Sequence, residues 1–164
     1  MQGRDVLGLA QTGTGKSLAF ILPIIQRITE EKFNPGVIRA LILVPTRELA
    51  EQISQTVIKF TSNTKIRTVA IYGGVSKIPQ TKSLRGKSEI VVACPGRLLD
   101  HIRDNNLDLN KLEMLVLDES DTMCDMGFLP DIRRIISFLP KNRQTLFFAA
   151  TMPDEIRTLS DNIL

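Results

Sequence analysis

Six short aliphatic runs punctuate the chain: VLGLA (6–10), ALILV (40–44), RTVAIY (67–72), EIVVAC (89–94), MLVLD (114–118) and TLFFAA (145–150). They are β-rich and nearly continuous, not alternating. A strand with one wet face alternates; a strand buried on both faces does not, and such strands belong to parallel sheets. Parallel neighbours need long crossovers, and helical periodicity fills the gaps. Leu49, Ile53, Val57 and Phe60 share one helix face, as do Ile132, Ile135, Ile136 and Leu139. Pro153 suits the first position of a last helix that turns Ile156, Leu159 and Ile163 inward. A helix from Lys16 to about Ile28 contains Pro23, which should bend it rather than end it. Strand–helix alternation six times over predicts an α/β three-layer sandwich, a mostly parallel sheet with helices on both faces. No repeat or linker interrupts it, so residues 1–164 read as one domain.

Composition narrows the function classes. Hydrophobic residues make up 43% and charged residues 24% of the 164 positions, the balance of a globular protein. No apolar run approaches the ~20 residues of a membrane helix, and the start reads poorly as a signal peptide, so no membrane partner and a cytoplasmic location are expected. Cys94 and Cys124 lack metal-ligand spacing and are expected to be two reduced thiols. His101 is the only histidine; it is expected on a helix surface, and its solitude argues against chemistry built on a histidine pair. A net charge of +3 permits a polyanionic partner without demanding one.

Chemistry concentrates in AQTGTGKS, residues 10–17. Its spacing is that of a phosphate-cradling loop between a strand and a helix. Gly13 and Gly15 let backbone N–H groups turn toward a β-phosphate with no Cβ in the way. Lys16 would bridge β- and γ-phosphates, and Ser17 would offer its hydroxyl to Mg²⁺. The helix N-terminus adds partial positive charge. Ala10 stands where the pattern asks for its first glycine, at a strand end where small size suffices. A metal carboxylate is expected on a neighbouring strand, and Asp118 in VLDESD ends one, with Glu119 beside it to polarise a water. Adjacent carboxylates at a strand end also occur as plain solvated turns; the loop decides between the two readings.

AQTGTGKS, PTRELA, the pair Gly73–Gly74, CPGR, DESD and AAT follow one another in the order and spacing of DEAD-box ATP-dependent RNA helicases. The resemblance covers essentially the whole chain, corresponds to the first of that family's two RecA-like domains, and looks most bacterial at MGFLPDIRRI. It implies ATP and Mg²⁺ as cofactors, with Thr12, Gly13, Thr14, Gly15, Lys16 and Ser17 around the phosphates and Ser17 and Asp118 on the metal. It implies Lys16, Asp118 and Glu119 as the catalytic group. Pro45, Thr46, Arg47, Gly73, Gly74, Pro95, Gly96 and Arg97 would face an RNA backbone, without sequence preference and with salt sensitivity. Arg47 and Arg97 also read as ordinary salt-bridged surface residues or internal struts.

The departures are local. The family tetrad Asp-Glu-Ala-Asp is Asp118-Glu119-Ser120-Asp121 here, and Ser-Ala-Thr is Ala149-Ala150-Thr151. In the family these blocks touch and couple hydrolysis to strand separation, so Ser120, Asp121, Ala149 and Thr151 are the coupling candidates. Ser120 is expected to replace part of the lost hydroxyl as a partner of Asp121 or Thr151. Cys94 stands where threonine is usual and donates only weakly. The family's upstream adenine-reading segment and second RecA-like domain, with its arginine finger, lie outside residues 1–164. Such a finger is worth ~10³ to 10⁵ in rate in related chemistry. The chain by itself is therefore expected to be a monomer that binds nucleotide weakly and hydrolyses it hardly at all. The alternative is a degenerate, non-hydrolysing module that docks RNA or a partner.

Overall fold

The computed structural model describes residues 3–10, 15–30 and 35–164. Its elements in chain order are β1 (Val6–Leu9), α1 (Lys16–Glu30), β2 (Ala40–Leu43), α2 (Arg47–Thr61), β3 (Thr68–Ile71), α3 (Lys77–Arg85), β4 (Ile90–Ala93), α4 (Pro95–Arg103), β5 (Met114–Leu117), α5 (Ser120–Asp125), α6 (Leu129–Ser137), β6 (Gln144–Ala149) and α7 (Asp154–Ile163). The strands form one sheet in the order β1-β6-β5-β2-β4-β3. Every pairing is parallel. Each predicted run holds its strand to within a residue at either end.

The sheet separates two apolar layers. On one face Phe20, Ile21, Ile24 and Ile28 of α1 and Ala50, Ile53 and Val57 of α2 pack on Ile42, Val92, Val116 and Phe148. On the other, Leu98 and Leu99 of α4, Ile132 and Ile135 of α6 and Ile156 and Leu159 of α7 pack on Leu41, Leu43, Val91, Leu115, Leu117 and Phe147. Successive strand residues point to opposite layers, and both layers are dry, which is why the runs show no alternation.

Four expectations change at the margins. β1 is an edge strand whose Val6, Leu7 and Leu9 are exposed, so double burial holds for the central strands and not for it. Phe60 lies at the far end of α2 and is exposed, while Ile53 and Val57 carry that helix's core face. Pro153 caps α7 from just outside instead of opening it. His101 is fully buried, because α4 is covered on that side and its ring sits against Asn106. Pro23 lies inside α1, which runs on to Glu30, so the proline does not end that helix.

The amino-terminal edge of the sheet is closed by structural polar contacts. Arg39 grips Glu113 with two parallel bonds, Nε to Oε1 at 2.6 Å and Nη2 to Oε2 at 2.7 Å. Buried Glu89 accepts the N–H groups of Gly36 and Arg67 at 2.7 Å each. The candidate chemistry lies at the opposite, carboxyl-terminal edge.

Candidate functional site

A parallel sheet delivers every strand end to one edge, where ligands of open α/β sheets bind. At that edge the Ala10 N–H donates to Ala149 O at 3.0 Å, extending the β1–β6 pairing by one residue. The predicted phosphate-binding residues Thr12, Gly13 and Thr14 lie outside the described residues. Gly15 has φ +79 with open space where a Cβ would stand, so backbone conformation, not crowding, calls for glycine there. Lys16 and Ser17 follow as the first residues of α1.

The Lys16 ammonium lies 2.8 Å from Asp118 Oδ1, and the two side chains are only 7% and 2% exposed. The contact is a close ion pair but not a well-directed hydrogen bond: buried Nζ has no aligned acceptor. Paired to Asp118 by charge, the ammonium has N–H donors to spare among the described residues. Lys16 and Asp118 border a cavity of about 580 Å³ together with Gly15, Ser17, Glu119 and the α2 residues Gln52, Thr56 and Lys59. That volume is in the range of small-ligand sites. Among the described residues no group of three or more His, Cys, Asp or Glu could hold a metal ion.

Glu119 caps α5 with φ 54 and ψ 49, a left-handed conformation uncommon for a side chain of this size, and its carboxylate makes no capping bond. Such strain costs on the order of 1–3 kcal/mol and gathers at functional sites. Burial, and then the neighbouring Asp118 charge, push its carboxyl above the usual range, with Lys16 pulling the other way. A carboxylate so placed is suited to accept a proton.

Two residues on, Asp121 Oδ2 accepts three bonds: Ala150 N–H at 3.1 Å, Thr151 N–H at 2.8 Å and Thr151 Oγ1 at 2.9 Å. Burial pushes the Asp121 carboxyl up, but the Thr151 amide and hydroxyl hold it below its ordinary value. The predicted contact between the two blocks is therefore present, without the expected part for Ser120. The Ser120 hydroxyl donates to Phe148 O at 3.0 Å and reaches Leu117 O at 3.5 Å, away from both Asp121 and Thr151. As first residue of α5, Ser120 points back into the seam between β5 and β6; Asp121, ~100° further round the helix, faces the end of β6. Ala149 contributes only a buried methyl at the end of β6.

The remaining candidates follow β2, β4 and β3, which are neighbours in the sheet. Thr46, after Pro45, caps α2 through its hydroxyl, which accepts Leu49 N–H at 3.2 Å. Pro95 and Gly96 open α4, whose capping residue Cys94 makes no side-chain capping bond. Burial pushes the Cys94 thiol up to about 11. Gly73 and Gly74 follow β3 with open space around both, and Gly74 has φ +77. Both arginines make contacts within the chain. Arg97 Nη1 donates to Val75 O at 3.0 Å, bracing the glycine turn. Arg47 pairs with Glu51 at 3.2 Å and lies 5.0 Å from the centre of the Tyr72 ring, while Tyr72 donates to the same Glu51 oxygen at 2.6 Å.

The sequence reading missed Gln52, Thr56 and Lys59, the polar side of the cavity. Their spacing of four and three residues, opposite Ile53 and Val57, was the available signal. It also missed the Cys124 thiol donating to Glu155 Oε2 at 3.1 Å between α5 and α7.

The DEAD/DEAH box helicase family model matches residues 1–159. "DEAD-box ATP-dependent RNA helicase 20" of Arabidopsis thaliana is 48% identical over 167 residues, an alignment that covers the whole chain and 33% of that protein. "ATP-dependent RNA helicase CshA" of Listeria monocytogenes is 46% identical and again covers all of this chain, with 31% of its own length. The chain thus spans about a third of the length of these curated relatives. Among solved structures, the yeast DEAD-box splicing factor Prp28 superposes with a TM-score of 0.94 at 37% identity, covering 98% of this chain and 39% of that one. A DEAD box protein from Methanococcus jannaschii gives a TM-score of 0.90 at 38% identity, covering 98% and 43%.

Proposed function

Because the chain belongs to the DEAD/DEAH box helicase family, we propose that residues 1–164 are the RecA-like, ATP-binding half of an ATP-dependent RNA helicase, a cytoplasmic monomer that acts with a second RecA-like domain. The observation that carries this reading is the dry ammonium of Lys16, 2.8 Å from Asp118 on the wall of a ligand-sized cavity. An ammonium with idle donors at a helix start is fitted to phosphate oxygens.

Roles follow from placement. Gly15, Lys16 and Ser17, with Thr12, Gly13 and Thr14, would hold the phosphates. Ser17 and Asp118 are the protein groups available to Mg²⁺, and so small a donor set suits an ion that keeps waters and takes the rest of its shell from phosphates. Mg²⁺ bound there would neutralise charge developing on the phosphate oxygens. Glu119, strained and with its carboxyl raised, would orient and deprotonate the attacking water. Lys16 would exchange its bond to Asp118 for phosphate, freeing that carboxylate. Asp121 and Thr151 would carry the resulting shift of α5 to the end of β6. Pro45 to Arg47, Gly73–Gly74 and Pro95 to Arg97 would meet the RNA backbone through open glycines and helix N-termini, with Arg97 acting through the turn it braces.

The test is Mg²⁺-dependent ATP binding by calorimetry, with Lys16→Ala and Asp118→Asn beside the parent chain. The parent should bind weakly and turn ATP over hardly at all with RNA present; Lys16→Ala should lose binding while remaining folded. Binding indifferent to Lys16 would mark a passive docking module, and robust RNA-stimulated turnover by the chain alone would refute its dependence on a second domain.

A further inference from the structure

The net charge of +3 is unevenly distributed. Between Glu51 and Glu89 there are seven Lys or Arg and no Asp or Glu, whereas the remainder carries fourteen Lys or Arg against eighteen Asp or Glu. The chain outside this segment is net acidic, so the whole positive excess comes from the flank formed by the end of α2, β3 and α3. Of the seven cations, Lys59 borders the cavity beside Lys16, and Lys77 is neutralised by Asp104 at 2.7 Å. The other five, Lys65, Arg67, Lys82, Arg85 and Lys87, are exposed. None of the five pairs with a carboxylate among the described residues; Arg67 donates to Gly86 O and Arg85 reaches Asn106 Oδ1, both neutral.

The surface between them is hollow, with polar groups set among aliphatic ones. Lys65, Arg67 and Lys87 border one cavity of about 460 Å³. Its one carboxylate, Glu89, is buried and already accepts the N–H groups of Gly36 and Arg67. A second hollow of about 500 Å³ meets the first at Arg67 and adds the hydroxyls of Thr68, Ser83 and Ser88. Thr68 Oγ1 is buried with no partner. Lys87 holds φ 71, a conformation that glycine or asparagine would adopt at less cost, with its stem laid over Gly36. That conformation ends α3, where the Lys87 N–H donates to Leu84 O at 3.2 Å, and it sets the lysine at the rim of the first hollow.

The flank is continuous with the candidate RNA edge. β3 leads from Arg67 to the Gly73–Gly74 turn, six residues on or ~20 Å of extended chain. On the reading of the carboxyl edge as an RNA surface, we propose that the same RNA strand runs on past Gly73–Gly74 across the β3–α3 flank, where Lys65, Arg67, Lys82, Arg85 and Lys87 hold its phosphates. Five exposed cations that face no paired carboxylate favour a nucleic-acid backbone over a protein partner, whose interface core is depleted of charge. The contact adds affinity and length to the RNA footprint and reads no sequence.

The test uses fluorescent oligouridylates of six and twenty nucleotides, with the 164-residue chain and its Lys65→Gln/Lys82→Gln/Lys87→Gln variant, which spares the structural bond of Arg67. Three exposed substitutions leave the melting curve nearly unchanged. For the twenty-mer, loss of three phosphate contacts lowers the salt slope by about 2 and the affinity by roughly 100-fold at 0.1 M salt, while the six-mer changes far less. An unchanged twenty-mer affinity and slope would overturn the inference and leave the carboxyl-edge reading standing. Loss of polyglutamate binding with the twenty-mer unaffected would assign the flank to an acidic protein and overturn it equally. If the parent chain binds neither oligonucleotide, both readings fall.

Discussion

Replacing Lys16 by Met leaves the Asp118 carboxylate, 2% exposed, without a cation. Among the described residues the Glu119 N–H at 3.0 Å is its other bond, a single neutral donor. Breaking a buried pair from one side costs about 3–5 kcal/mol, because the remaining charge is uncompensated. A chain of this size loses roughly 2–4 °C of melting temperature per kcal/mol, so Lys16→Met should melt about 6–20 °C below the parent. Asp118→Asn leaves a dry ammonium and should also destabilise. The double variant removes both charges, keeps an oxygen for the Glu119 N–H, and should recover most of the loss. Urea denaturation of all four proteins measures the coupling energy. Burial of the pair also implies that the coupling survives 0.5 M salt, where an exposed pair would fade. A Lys16→Met cost below ~1 kcal/mol, or two single effects that simply add, would show that the pair is not the dry contact described. Because Lys16 is predicted to support stability as well as the proposed ligand binding, a binding defect counts only when folding is measured beside it.

Four further outcomes follow from other parts of the molecule. Asp121→Ala strips acceptors from Ala150 N–H, Thr151 N–H and the Thr151 hydroxyl and should cost about 3–5 kcal/mol by urea denaturation, the price of a broken buried network. Since the Asp121 carboxyl lies below its ordinary value, its stabilisation is complete above the unfolded value near 3.9 and disappears as pH falls through the lowered one; the difference between parent and Asp121→Asn should shrink over that interval. Burial, and then Lys77 and Arg97, hold the His101 imidazole below its usual 6.5. The unfolded chain therefore takes a proton below about pH 6.5 that the native chain refuses, and stability falls toward pH 5 by up to about 1.4 kcal/mol per unit; His101→Leu should remove that slope, and equal slopes in the two proteins would refute the assignment. Gly8→Ala brings a methyl to 2.6 Å from the Phe148 ring, itself packed 5.6 Å from Phe20, and should cost about 1–3 kcal/mol, relieved by Phe148→Leu.

The central strands were legible because burial on both faces imposes a composition that few other environments share: ALIL, IVVA and MLVL admit no polar residue. β1 has the same composition, yet it lies at an edge, and composition carries no sign of sheet order. The adjacency of Lys16 and Asp118 was legible for a different reason: a parallel sheet carries all strand ends to one edge, so spacing along the chain became proximity in space. His101 was illegible because its burial depends on what α4 packs against, a matter of tertiary assembly. Ser120 failed on finer grounds. A helix turns ~100° per residue, so neighbours in DESD face different partners, and no pattern of residue types says which faces β6. The resemblance set Arg47 and Arg97 toward an RNA backbone while the residues alone also read as salt-bridged struts; their contacts with Glu51, Tyr72 and Val75 appear only once α2, β3 and α4 are side by side.

The sheet order divides the carboxyl edge into two halves that meet at one boundary. β1 and β5 end in the phosphate and metal candidates with the coupling candidates at the end of β6 between them, and β2, β4 and β3 end in the candidates for RNA. β5 and β2 are the neighbours across that boundary, paired from Ala40–Met114 to Leu43–Leu117. Any movement passed from Asp118 toward β2 must therefore cross a rigid parallel ladder, a poor hinge. The movable parts are the elements that leave the sheet: α5, one helical turn and a half of six residues, and the 150–153 segment tied to it through Asp121. A short helix held to the sheet by the Ser120 hydroxyl on Phe148 O, a strained left-handed residue at its start and one carboxylate in its first turn has few ties to break while both strands stay fixed. Coupling by this route requires that Asp121→Asn change the RNA dependence of nucleotide affinity, measured with the second domain present, while leaving nucleotide affinity without RNA intact. Equal effects in both conditions would place the communication elsewhere in the sheet.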